Sequence, residues 1–242
     1  MTYVIVGGSA GVGRALAEKY ASEGKHLVVI SQDYRDSEAL AKHLRIVHKT
    51  TAVALEIDLS NGELSYEKVD AALTGLPPLA GVLVPAGLND DADKVGLADS
   101  ILETITRVNY LAPCKIINHL LPVLRKTSGS VIGFGSIAAT RGRSKNAGYA
   151  AAKNALNSYF ESLQHDLINS TIVVQFYVLG YVDTNLAFAQ KLLFPRVKPE
   201  DVADYVLAHN GVSGRFFFPR YWRPVCAIVR WLPWIIFKRL SI

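Results

Sequence analysis

Tyr3-Val4-Ile5-Val6-Gly7-Gly8-Ser9-Ala10-Gly11-Val12-Gly13 opens the chain, a short β-branched apolar run broken by a glycine-rich turn and followed at once by the helical Arg14-Ala15-Leu16-Ala17. Glycines at 7, 11 and 13 permit a tight turn, close approach to a pyrophosphate and close packing of helix on strand. The N-terminus of the helix adds unpaired N–H groups and a positive dipole. The motif places Gly7, Ser9, Gly11, Val12 and Gly13 against a bound dinucleotide. A glycine-rich turn is weak evidence alone and gains weight from its place in an alternating chain.

Short apolar runs continue to alternate with helical patterns, the sequence form of a parallel sheet covered on both faces. Strands are predicted at Tyr3–Val6, Leu27–Ile30, Ala52–Ile57, Gly81–Val84, Val131–Phe134, Ile172–Tyr177 and Arg215–Phe218. Helices are predicted at Val12–Glu23, Ser37–His48, Ser65–Thr74, Ser100–Arg125, Ala147–Ile168 and Pro199–Ala208. The fold class expected is α/β, a single doubly wound (Rossmann) seven-stranded parallel sheet over residues 1–218. Residues 219–242 break the alternation and form an amphipathic aromatic and basic appendage.

At 242 residues, half of them hydrophobic, the chain suits one globular domain. Its net charge of +5 is modest and no recognition-helix, zinc-finger or base-stacking signature is present, so no nucleic-acid partner is expected. Cys114 and Cys226 have no Cys or His partner at ligand spacing, which points to reduced, packed thiols and to no metal site. The chain starts on a strand with no positively charged leader, and the localisation expected is cytoplasmic.

The residues that carry chemistry cluster around Tyr149 and Lys153 in Ala147-Gly148-Tyr149-Ala150-Ala151-Ala152-Lys153. Positions i and i+4 share a helix face, so the ammonium can sit beside the phenol. A nearby cation favours phenolate and is expected to lower the Tyr149 pKa toward the working pH. Ser136 stands thirteen residues earlier at a strand end, where a small polar turn former is also expected. Asp58, followed by Leu59 just past the third strand, stands where an adenine amino group could donate to it; a turn or capping role is the alternative. At the end of the second strand, Ser31 and Gln32 hold the place that discriminates the adenosine ribose. Neither repels a 2′-phosphate and Arg35 comes shortly after, but Asp33 opposes it, so NADP is favoured slightly over NAD.

Taken together, the pattern resembles the classical short-chain dehydrogenase/reductase family over residues 1 to about 218. The matching positions are Gly7, Gly11 and Gly13, Asp58, Ala86-Gly87 after the fourth strand, Asn109 in Arg107-Val108-Asn109-Tyr110, Ser136, and the Tyr149/Lys153 pair. The resemblance implies an NAD(P)-dependent oxidoreductase in which Tyr149 is the proton donor and Lys153 tunes it and holds the nicotinamide ribose. It further implies that Ser136 steadies the carbonyl oxygen and that Asn109 holds a water linking Lys153 to solvent. It places Gly180, Val182 and Thr184 near the nicotinamide.

Three departures stand out: Val6 for the family's Thr, Val84-Pro85 for its Asn-Asn, and Leu179-Gly180 for its Pro-Gly. The first two remove polar ties that brace the cofactor loops. A narrower resemblance, to the decaprenylphosphoryl-2-keto-erythro-pentose reductase branch, rests on Gly7-Gly8-Ser9, the missing Asn-Asn and the tail ending Ile235-Ile236-Phe237-Lys238-Arg239-Leu240.

That branch implies a lipid-linked ketone substrate; a small soluble ketone, a steroid or a 3-oxoacyl group is the alternative, and a non-catalytic dinucleotide sensor is a third. Residues 221–242 are too interrupted to span a bilayer, which takes roughly twenty apolar residues. They suit either a segment lying at the inner membrane surface or one packing on its own domain or a partner. Asp183 to Lys198, with Leu186, Phe188, Leu192, Leu193 and Phe194, reads either as a lid over the cleft or as an amphipathic helix packing inward. The resemblance also implies a homo-oligomer, a dimer or tetramer, paired through the two long helices.

Overall fold

Seven short, largely apolar runs form seven parallel strands in the computed structural model, which describes residues 1–184 and 194–239. They are β1 (Thr2–Val6), β2 (His26–Ser31), β3 (Ala52–Glu56), β4 (Leu79–Val84), β5 (Ser130–Ser136), β6 (Val173–Leu179) and β7 (Gly214–Phe218). Their spatial order is β3-β2-β1-β4-β5-β6-β7, the doubly wound arrangement expected. Winding reverses between β1 and β4, so a crevice opens beyond their carboxyl ends, where Gly7 and Ala86 stand.

Side-chain alternation splits the core between the two faces of the sheet. Val4, Val6, Val28 and Ile30 pack on one side with Phe160 and Ile117, while Ile5, Leu27 and Val29 pack on the other with Leu16 and Leu44. The helices that cover these faces are α1 (Gly11–Ser22), α2 (Tyr34–His48), α3 (Tyr66–Leu73), α4 (Asp99–Thr106), α5 (Ala112–Thr127), α6 (Ala147–Asp166) and α7 (Pro199–Ala208).

Two helices depart from their predicted form. The single helix expected over Ser100–Arg125 is α4 and α5 joined by a π turn, Arg107–Leu111. Pro113 has no N–H to give to the carbonyl of Asn109 four residues back, which breaks the α ladder there. Helix α2 starts three residues early because Asp33 caps it, accepting from Asp36 N at 3.1 Å.

Beyond β7 the chain forms α8 (Trp222–Trp231) and α9 (Trp234–Phe237), with Pro233 between them. Of the two alternatives for the tail, packing on its own domain is seen for one face. Its inner face packs on the body through buried Trp222, Cys226 and Phe237. Arg141 clasps it, donating to Val229 O and Leu232 O and lying 4.2 Å over the Phe237 ring. Its outer face keeps Ile228, Trp231, Trp234 and Ile235 in solvent. No helix among the described residues is long and apolar enough to cross a membrane. Cys114 and Cys226 are free and buried, and no cluster of three potential metal ligands occurs among the described residues.

Candidate active site

Helix α6 presents Tyr149 and Lys153, and its start is held from a distance. Asn146 precedes it in the left-handed region (φ 54°) and gives no side-chain cap. Asp93, from the loop after β4, caps it instead: its carboxylate accepts from Gly148 N at 2.7 Å and from Tyr149 N at 2.8 Å. Asn146 N also donates to Asp93 O at 2.8 Å, and Lys94 bridges to Lys145. The loop after β4 is thus stitched to the backbone that aims the Tyr149 phenol.

One turn further, Lys153 is buried and donates from Nζ to Ala86 O (2.9 Å) and Phe134 O (3.2 Å), tying the ends of β4 and β5 together. Its ammonium lies 6.0 Å from the centre of the Tyr149 ring. Burial pushes the Lys153 pKa down to about 8. The expected depression of the Tyr149 pKa is not found in this arrangement. Burial raises it, because a phenolate there would lose its hydration, and the Ser136 hydroxyl, hydrogen-bonded to the phenol, only partly offsets that. Ser136 ends β5 and itself accepts from Ala138 N at 3.2 Å, which fixes its rotamer at the edge of the cleft.

Asn109 takes a different place from its neighbours in the motif. It is fully buried in the π turn, donating to Leu88 O (2.7 Å) and Ile105 O (2.9 Å) and accepting from Leu88 N (3.2 Å). Its side chain pins the loop after β4 and makes no hydrogen bond to Lys153.

All the other residues expected at the cofactor or the reacting carbonyl, from Gly7 to Thr184, line one cleft of about 1230 Å³. At its nucleotide end, α1 begins on Ala10 with no side-chain cap and no acidic residue in its first turn, so its N–H groups face the cleft unclaimed. Gly7 and Gly11 have positive φ (86° and 50°), and a Cβ on Gly13 would sit 2.0 Å from Gly7 O. Asp58 uses one carboxylate oxygen to accept from Ser60 N and Oγ (2.9 and 2.7 Å), and so does form the turn, while its second oxygen is unclaimed by any described residue. These groups fit a dinucleotide: N–H donors for a pyrophosphate and an acceptor for an adenine amine.

The polar ties missing at Val6 and Val84-Pro85 are made by main chain. Ala86 N donates to Val6 O (3.0 Å), and Gly7 N and Gly8 N both donate to Ile30 O (2.8 and 3.1 Å). Ser31 is drawn into the β2–α2 turn by donating to Asp33 O (2.7 Å), and Arg35, highly exposed, lies 4.0 Å from Asp33 and outside the cleft. Arg14, directly after the glycine turn, does line the cleft. Gly180 keeps its glycine for a steric reason: a Cβ there would lie 2.0 Å from Trp222 Nε1.

The limbs of the expected lid are joined, Val182 bridging Val197 and Asp183 pairing with Arg196 at 3.3 Å. Leu186, Phe188, Leu192 and Leu193 lie outside the described residues. Phe194 packs against Trp222, ring centres 4.8 Å apart.

Sequence reasoning missed Asp93, Arg14 and two further cleft residues, Asn89 and Arg143. Asp93 sits in a polar loop 55 residues from the N–H it caps, so no local motif marks it. Arg14 could have been found as the basic residue directly after the last glycine of the turn.

The family described as short chain dehydrogenase matches residues 1–191. The chain is similar to hydroxysteroid 11-beta-dehydrogenase 1-like protein B of Xenopus laevis, 25% identical over 98% of this chain and 84% of that one. It is also similar to the very-long-chain 3-oxoacyl-CoA reductase of Podospora anserina, 27% identical over 91% of this chain and 66% of the other. Its fold matches a short-chain dehydrogenase from Sphingobium yanoikuyae solved in complex with NADPH. There the TM-score is 0.82 at 20% identity, covering 99% of this chain and 96% of that one.

Proposed function

This chain belongs to the short-chain dehydrogenase family, NAD(P)-dependent oxidoreductases of C=O and CH–OH groups, and on that premise we propose that it reduces the ketone of a lipophilic substrate at a membrane surface. The observation that carries the reading is the convergence of Ser136, Tyr149 and Lys153 on one cleft whose other end is a dinucleotide cradle.

The cofactor, when bound, supplies the hydride. The chain's own residues handle the oxygen and the proton. Ser136 Oγ holds the carbonyl oxygen, where negative charge develops. Tyr149, kept protonated by its burial, donates its phenolic proton to that oxygen. Lys153, moored to Ala86 O and Phe134 O, keeps a third hydrogen for the cofactor ribose and restores the proton. Asn109 acts by holding the loop after β4 in place. NADPH is the preferred donor, since Arg14 lines the cleft and neither Ser31 nor Gln32 repels a 2′-phosphate.

A lipophilic substrate accords with the relatives, a hydroxysteroid dehydrogenase-like protein and a 3-oxoacyl-CoA reductase. The outer face of α8 and α9, with Trp231 and Trp234 exposed among Arg220, Arg223, Arg230, Lys238 and Arg239, suits the anionic cytoplasmic leaflet. The tail's sequence favours a narrower reading within this one, a keto-pentose carried on a polyprenyl phosphate.

The test is cofactor oxidation by the full chain with NADPH or NADH and a panel: a polyprenyl-phosphoryl keto-pentose, a 3-oxoacyl thioester, a ketosteroid and small ketones. Turnover of a lipophilic member is expected. Tyr149→Phe should keep cofactor affinity and lose about 10²- to 10⁴-fold in turnover. Full activity in Tyr149→Phe would remove the assigned proton donor, and turnover of small ketones alone would remove the lipid reading.

A further inference from the structure

Two polar atoms in the cleft, Arg143 Nε and Asn89 Oδ1, are buried and have no hydrogen-bond partner among the described residues. Both residues line the cleft that holds Ser136 and Tyr149. Among the described residues Arg143 makes no hydrogen bond, ion pair or ring contact at all. An unpaired buried donor or acceptor costs free energy, and more so on a charged group, so such atoms in a cleft mark where a ligand completes the bonding.

Both side chains stand on braced backbone. Asn89 follows Leu88, whose N–H and C=O are both held by Asn109. Arg143 lies between Arg141, clasped to the tail through Val229 O, and Lys145, bridged to Lys94. Ligand atoms would therefore meet groups already in position, which is the condition for selective recognition. The carboxylate of Asp183, also in the cleft, is engaged by Arg196 at 3.3 Å.

We propose that Arg143 and Asn89 form the substrate-recognition pair: the guanidinium binds an oxyanion, phosphate or carboxylate, carried by the ketone, and the Asn89 amide oxygen accepts from a hydroxyl of the same molecule. The pair disfavours neutral ketones such as an unconjugated steroid, which would leave the buried Arg143 Nε without an acceptor. This names the substrate class and rests on the reductase reading for the word substrate, but the binding it asserts is measured without turnover.

The experiment is calorimetric titration of the full chain, with its nucleotide end filled by NADP⁺, using phenyl phosphate, benzoate and benzyl alcohol as probes. At least one anion should bind about tenfold or more tightly than benzyl alcohol, the size expected of a charge-assisted bond. Arg143→Met should bring the anion and the alcohol to within about twofold, and Arg143→Lys should fall between, keeping the charge but not the fork. Unchanged NADP⁺ affinity reports that each variant is folded, and Arg143→Gln stands in for the methionine variant if that affinity is lost. Tighter phenyl phosphate identifies a phosphate ester and tighter benzoate a carboxylate. Equal binding of all three probes by the native chain, or an anion preference that survives loss of the guanidinium, would overturn the assignment. A chain that discriminates the anion yet turns over no ketone would sink only the reductase reading.

Discussion

Lys153 gives two of its three hydrogens to main-chain carbonyls and pays for its burial in basicity, its pKa falling to about 8. Tyr149, raised above the ordinary tyrosine range, stays protonated through neutral pH, so the titration seen in turnover belongs to the lysine. Reduction consumes a proton that the ammonium must replace. As pH rises through about 8 the ammonium is lost, so kcat/KM for reduction should fall, while the reverse oxidation should rise over the same interval. A pH profile in both directions measures this, and Lys153→Arg should move the inflection out of range. An inflection unmoved in that variant would belong to another group. At this scale the sequence was most readable, because helical spacing alone puts Tyr149 and Lys153 on one face. Arg143 was not, since its meaning comes from lacking a partner, and partners appear only in three dimensions.

Among the elements, α6 shows how far a helix can borrow what its own sequence omits. Asn146 occupies the capping position but its positive φ turns it away, and Asp93 supplies the acceptors. Asp93→Ala should remove two charge-assisted bonds at a buried helix end, costing about 1–2 kcal/mol. At about 2–4 °C per kcal/mol for a chain this long, the midpoint should drop by several degrees. Because one of those bonds is to Tyr149 N itself, kcat should fall more than cofactor affinity does. Asp93→Asn, which keeps one acceptor, should be intermediate in both. Thermal melts beside steady-state kinetics test this, and native kcat and melting in Asp93→Ala would show that the cap does not aim the phenol. Strands and helices were legible from periodicities of two and 3.6. The break at the π turn was not, although Pro113 stood in the pattern, because prolines are also tolerated near helix starts and only the buried Asn109 contacts show which case applies.

Across the whole molecule, the tail joins a docked inner face to an exposed apolar outer one. Composition made it amphipathic, but which face met which partner depended on Arg141 and Gly180, far away in sequence. The full chain should float with anionic phospholipid vesicles and remain below neutral ones at physiological salt, since apolar burial and basic residues act together. Trp231→Ser with Ile235→Ser, both at solvent-facing positions (85% and 65% exposed), should abolish flotation while the docked residues Trp222 and Phe237 keep the tail in place. Undiminished flotation of that variant would remove the membrane surface from the proposed function.

The indole of Trp222 occupies the volume that any side chain at position 180 would need. Residues 180 and 222 therefore share one space that only one of them can fill. A sequence drifting by a single methyl at the first must shrink at the second or release α8 from the body. The cleft wall at the end of β6 and the seat of the tail are in this sense a single inherited character, coupled by exclusion rather than by any bond.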